Sequence, residues 1–90
     1  MSKVTLMDFY ADWCGPCKMQ DPINEEVMKK FKDKIEFKKI DVDSNHELAS
    51  KYTVHAIPTI IIDKDGVVFK RYTGVTKAAV LEADLNAALK

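Results

Sequence analysis

"DFYADWCGPCKMQDP" (residues 8–22) decides how this chain folds. It holds the only two cysteines of the 90 residues, two apart, with Gly15 and Pro16 between them and Trp13 in front. Just upstream, residues 4–9 are apolar on both faces, the pattern of a strand covered on both sides. Downstream, residues 16–32 turn helical, with Ile23, Val27 and Phe31 at four-residue spacing. Pro16 suits a first helical turn, where its missing N–H leaves nothing unsatisfied. Pro22 falls inside that helix and predicts a kink. Both thiols therefore stand where a strand feeds a helix, Cys14 at the helix N-terminus and Cys17 one turn further in.

The rest of the chain extends the pattern. Residues 35–42 read as a second strand. Ser44, with Glu47 three residues on, has the form of a capping box for a short helix ending at Tyr52. Residues 58–63 and 67–72 are strands joined across Asp65-Gly66, a hairpin signal. Thr76 is the expected cap of a last helix with Leu81, Leu85, Ala88 and Leu89 on one face. The order is β-α-β-α-β-β-α. Strands separated by a helix are expected to be parallel with right-handed crossovers, and the hairpin pair antiparallel. The expected architecture is one α/β domain over residues 1–90, a four-stranded mixed sheet with helices on both faces.

Composition narrows the function. With 14 basic and 14 acidic side chains and no basic block, nucleic acid and an acidic membrane surface are poor partners. Apolar runs of a few residues are too short to span a bilayer. Residues 1–3 lead straight into the first strand without an apolar leader, so a cytoplasmic protein is expected; a monomer is expected as well. In that compartment thiols stay reduced, and a cysteine pair points to catalysis or metal binding before a structural bridge. A chain of this size can hide roughly 60–68% of its unfolded surface, enough for a core without metal or staples.

A zinc site wants four ligands, and only His46 and His55, nine positions apart and expected at the surface, are on offer; no metal is expected. A structural disulfide is also weak, because the stabilisation from a crosslink shrinks with the loop it closes. A bond that stabilises the fold so little can be made and broken without unfolding it, which suits a redox catalyst. The thiolate is the nucleophile, and helix N–H groups favour the ionised form of Cys14. Cys17, expected to be more buried and less ionised, resolves the mixed disulfide that Cys14 forms. Gly15 and Pro16 are expected to let the backbone turn tightly enough to bring the sulfurs together.

Trp13-Cys14-Gly15-Pro16-Cys17, followed by "AIPT" at 56–59 and "TG" at 73–74, resembles the thioredoxin family from about residue 4 to the end of the chain. Cys-x-x-Cys beside a βαβ pattern is already such a signal, and the full pentapeptide with Ile-Pro-Thr is stronger. The resemblance implies a thioredoxin fold and reduction of protein disulfides without a cofactor. It also implies disulfide-containing protein substrates and a thioredoxin reductase as electron donor. The chain is similar to the short archaeal kind, without the N-terminal strand and helix of common members. Strand 35–42 then becomes an edge, and the lysines of "KDKIEFKKID" (32–41) discourage edge-to-edge pairing. Glutaredoxins usually carry Cys-Pro-Tyr-Cys, so a glutathione-dependent reductase fits less well.

Further residues follow from the resemblance and from their own surroundings. Asp8 shares a strand face with Val4 and Leu6. An acid in a central strand is desolvated and exchanges its proton nearer neutrality than a solvated one. It also matches the family's buried Asp, the base that assists Cys17. Lys39 matches the family lysine near that Asp, although an inward-pointing lysine also protects an edge strand. Pro58 matches the proline that is cis in this fold and faces the disulfide. The backbone of Ile57 before it can pair with an extended substrate. Trp13, Gly15, Pro16, Ile57, Pro58, Gly74 and Val75 are expected to form an apolar collar around Cys14 for substrate binding. Tyr10 stands where many members have a second Trp. Asp21, one turn beyond Cys17, either tunes the proton affinity of Cys17 or solvates its helix face, the second being the favoured reading, and Met19, Met28 and Phe31 read as core or helix-face residues. The competing reading is a thioredoxin-like binding module with incidental thiols. Docking alone, however, requires none of the set Cys14, Cys17, Asp8 and Pro58.

Overall fold

In the computed structural model, which describes residues 3–90, β1 (Val4–Tyr10) runs through the middle of the sheet and leads into α1 (Gly15–Lys30). There follow β2 (Glu36–Asp41), α2 (His46–Lys51), β3 (Thr59–Lys64), β4 (Val67–Thr73) and α3 (Ala78–Ala88). Residues 1 and 2, part of the start of the chain on which the cytoplasmic expectation rests, lie outside the described residues. The strand order is β2-β1-β3-β4.

Alternation along β1 divides the core into two layers. Val4 and Leu6, with Ile60 and Ile62 of β3, pack against Val27 and Phe31 of α1 and Leu81, Leu85 and Ala88 of α3. Met7, Phe9, Ile40 and Ile61 point the other way, onto Leu48 and Tyr52 in and after α2. Helices thus cover both faces, and β1 and β3 are buried along nearly their whole length. Lys30 of α1 pairs with Glu82 of α3 at 3.0 Å, and the Tyr72 hydroxyl donates to Asp84, tying β4 to α3. Pro22 sits inside α1, which continues past it to Lys30.

The strand directions depart from expectation at one place. β1 and β2 are parallel, but β3, which follows β2 through a helix, runs antiparallel to β1 and hence to β2. The length of α2 explains it. A right-handed parallel crossover must carry the chain back along the whole strand, about 20 Å for six residues. A six-residue helix spans only about 9 Å. The chain therefore re-enters the sheet at the end it left, with Thr59 beside Phe9.

Two expected helix caps are also displaced. Asn45, not Ser44, precedes α2, and it makes no side-chain cap bond. Its Nδ2 instead donates to the Asp41 carbonyl at 3.0 Å, while Asp41 Oδ1 accepts the Asp43 N–H at 2.9 Å, so an Asx-type turn occupies the polar groups there. Lys77, not Thr76, precedes α3. The Thr76 hydroxyl donates to the Gly74 carbonyl and its backbone N–H donates to Gln20. The hairpin is as expected: Asp65 and Gly66 both take positive φ (54° and 87°), the two-residue turn that matches strand twist.

Candidate active site

The sulfur of Cys14 begins α1. Cys14 is the N-cap, with extended backbone, and its Sγ accepts the N–H of Cys17 at 3.2 Å. An N-cap side chain satisfies one of the amides that a helix start leaves unpaired, and here that acceptor is a thiol sulfur. Cys14 and Cys17 form a disulfide, with Cα atoms 5.3 Å apart. The expected difference in burial is small: Cys14 is 4% and Cys17 2% exposed. Both pack with Ala11, Tyr10, Val42 and Ile57. The expected need for Gly15 also falls away. It is the first residue of α1, outside the residues of positive φ, and a Cβ on it would meet nothing within 4 Å. The first turn of the helix itself brings the sulfurs together, with Pro16 in that turn.

Around the disulfide lie several residues of the expected collar. Trp13 is 71% exposed, and its Nε1 donates to Asp43 Oδ2 at 2.9 Å. Ile57 touches the cysteine cluster, and the Ile57–Pro58 bond is cis. The Gly74 N–H donates to the Pro58 carbonyl at 2.8 Å. That bond brings the loop carrying Gly74 and the exposed Val75 to the same end of the sheet, and Gly74 holds it with φ +94°.

Beneath α1 lies Asp8, 4% exposed. Burial, then the nearby charge of Asp21, push its carboxyl up from 3.8 to about 6, against the opposing pull of Lys39 and of a bond from Asn24. Lys39 faces Asp8 across the β1–β2 ladder but turns its ammonium outward. It sits 3.3 Å from Asp21 Oδ1 and 4.6 Å from the centre of the Tyr10 ring. Its own desolvation is outweighed by Asp21, Asp8 and Tyr10, which hold it protonated. Asp21 therefore does more than solvate its helix: it pairs with Lys39 and biases Asp8. A groove of about 330 Å³ between α1 and β2, lined by Asp8, Asp21, Asn24 and Lys39 among others, runs from this group to the surface. His46 and His55 are both exposed.

Two residues at the site escaped sequence reasoning. Gln20 and Asn24 are buried, at 0% and 7% exposure. They lie on one stripe of α1 with Cys17 and Val27. The signal was present: Cys17, Gln20, Asn24 and Val27 follow helical spacing, with two amides where a buried face should be apolar.

Comparison with known proteins agrees with this geometry. The thioredoxin family model matches residues 1–87. The chain belongs to the thioredoxin family. It is 46% identical over 83 residues to the thioredoxin of Bacillus subtilis (strain 168), covering 92% of this chain and 80% of that one. It is 42% identical over 88 residues to the chloroplastic thioredoxin Y of Oryza sativa subsp. japonica, covering 98% of this chain and 52% of the relative. It therefore spans about half the length of that relative. Among solved structures, a malaria-parasite thioredoxin-2 superposes with a TM-score of 0.90 at 30% identity, covering 96% of this chain and 84% of that one. Like its family, this thioredoxin is a thiol–disulfide oxidoreductase, with Cys14 and Cys17 as its redox-active pair. No helix among the described residues is long and apolar enough to cross a membrane.

Proposed function

We propose that this thioredoxin reduces disulfides of protein substrates by attack of Cys14, with Cys17 as resolving thiol and Asp8 as the base that accepts the Cys17 proton. The observation that carries the order of attack is the N-cap position of Cys14, whose sulfur accepts a helix N–H at 3.2 Å. A thiolate there keeps that bond and gains the positive end of the helix dipole. In the first step the Cys14 thiolate displaces one sulfur of the substrate disulfide, which leaves as a thiolate. Cys17 then gives its proton to Asp8 and attacks the Cys14 sulfur. The Cys14–Cys17 bond forms and the second substrate thiolate departs. Asp8 is suited to this because a carboxyl at about 6 takes and returns a proton near neutrality.

Trp13, Pro16, Ile57, Pro58, Gly74 and Val75 are the proposed docking surface, with Gly15 leaving the space beside the disulfide open. Lys39 acts on Asp8 through charge and not by contact with substrate. The return of electrons falls to a thioredoxin reductase, and a reducing compartment such as the cytosol keeps the cycle running. Variants test the order of attack. Cys17→Ser accumulates mixed disulfides with substrate on non-reducing gels, and Cys14→Ser accumulates none. Equal trapping by both would overturn the assignment.

A further inference from the structure

Inside the molecule, three side-chain groups form one hydrogen-bonded line from the collar loop to the buried acid. The Thr76 N–H donates to Gln20 Oε1 at 2.7 Å. Gln20 Nε2 donates to the Thr76 carbonyl at 3.0 Å and to Asn24 Oδ1 at 2.9 Å. Asn24 Nδ2 donates to Asp8 Oδ2 at 3.1 Å. The second carboxyl oxygen, Asp8 Oδ1, has no hydrogen-bond partner among the described residues.

The direction of this line is dictated at one end. A backbone N–H can only donate, so Thr76 fixes the Gln20 oxygen toward itself and turns the Gln20 NH₂ toward Asn24. That in turn requires the Asn24 oxygen to face Gln20, leaving its NH₂ to face Asp8. One N–H of each amide therefore points along the line toward the carboxyl, while the second Gln20 N–H returns to the Thr76 carbonyl, and the line favours an anion at Asp8. An amide N–H aimed at Oδ2 makes that oxygen the poorer site for a proton, which favours Oδ1, the oxygen without a partner. Cys17 shares the buried stripe of α1 with both amides.

We propose that Asn24 and Gln20 are positioning residues for the proton-transfer step: they hold Asp8 so that only Oδ1 exchanges a proton, and they couple it to the loop Gly74–Thr76. The inference rests on the assignment of Asp8 as the base. The charged groups that act on Asp8 are Asp21 on α1 and Lys39 on β2, and Glu25 and Lys38 line the same groove; none of them belongs to this line. Two buried amides in a helix stripe otherwise have a cost, since each must find partners out of water. Here every amide group in the line is used once or twice.

The test is Asn24→Leu, which fills similar volume and removes the donor. The Asp8 carboxyl is followed directly by carbon NMR of labelled aspartate through a pH titration, beside the pH profile of disulfide reduction. Loss of the bond to the anion should raise the midpoint of Asp8 by about one pH unit, a tenfold gain in proton affinity. The acid limb of the activity profile should rise with it. Gln20→Leu, which leaves the Asn24 donor but frees its orientation, should give a smaller shift of the same sign. In the Asp8→Asn background, Asn24→Leu should leave the shape of the pH profile unchanged. If Asn24→Leu does not fold, Asn24→Ala is read the same way. An Asp8 midpoint that stays within experimental error in a folded Asn24 variant overturns the inference. A midpoint that moves while the activity profile does not would leave the hydrogen-bonded line intact and overturn the role of Asp8 as base.

Discussion

Asp8→Asn should make the disulfide form more stable in alkali and no more stable in acid. The sign follows from linkage. An aspartate with its folded value raised above the unfolded one binds more protons when folded, so stability is full below about pH 4 and falls as pH rises through the window to about 6. For Asp8 the rise from 3.8 to about 6, at about 1.36 kcal/mol per pH unit, gives a penalty of about 3 kcal/mol above neutrality. The substituted amide escapes that penalty and keeps an oxygen for the Asn24 N–H. Its own NH₂, however, lies where Oδ1 has no partner, a loss of about 1 kcal/mol. The net expectation is a gain of about 2 kcal/mol near pH 8. In a domain of this size that is roughly 8–16 °C in Tm. Near pH 4 the gain should vanish and turn into a deficit of about 1 kcal/mol. Urea unfolding of parent and variant, both as disulfides, at several pH values between these limits measures the gap. A gap that stays constant from pH 4 to pH 8 would refute the reasoning, because only a group titrating in that window makes it vary.

Other perturbations separate docking, conformation and packing. Trp13→Ala should raise KM for a protein disulfide several-fold while stability changes by no more than about 0.5 kcal/mol, because the ring is mostly exposed; steady-state kinetics beside a thermal melt check both. Gly66→Ala should cost about 1–2 kcal/mol through backbone conformation alone, since φ is +87° and a Cβ would meet nothing within 4 Å; activity should persist, and denaturant titration gives the loss. Leu85→Ala, at a fully buried position against both β1 and α1 neighbours, should cost about 2–5 kcal/mol in the same measurement.

Much of this fold is legible in the sequence. The apolar run of β1, the helical spacing after Pro16 and the Asp65-Gly66 turn are local signals, and each element formed within a residue or two of its expected ends. The placement of Cys14 at a helix start followed from the same local signals. What escaped reading depended on contacts between distant segments. The direction of β3 is set by how little length α2 has for the return journey. Thr76 loses its capping role because Gln20, 56 residues earlier, takes its N–H. Asp21 looked like a solvated helix residue because its partner, Lys39, comes from another element. Gln20 and Asn24 were visible as polar letters in an apolar stripe, but only the fold shows that their amides line up on Asp8.

Since the sulfur proposed to attack substrate is also the atom that caps α1, bond exchange at Cys14 should be felt by the backbone at once. An adduct on this sulfur withdraws or weakens the acceptor on which the Cys17 amide depends, and the first turn of α1 is left to fray until the sulfur is freed or re-bridged. Deuterium uptake at that single amide should therefore rise when Cys14 is alkylated and fall again on release. The helix carries, in one exchangeable hydrogen, a reading of where the enzyme stands in its cycle.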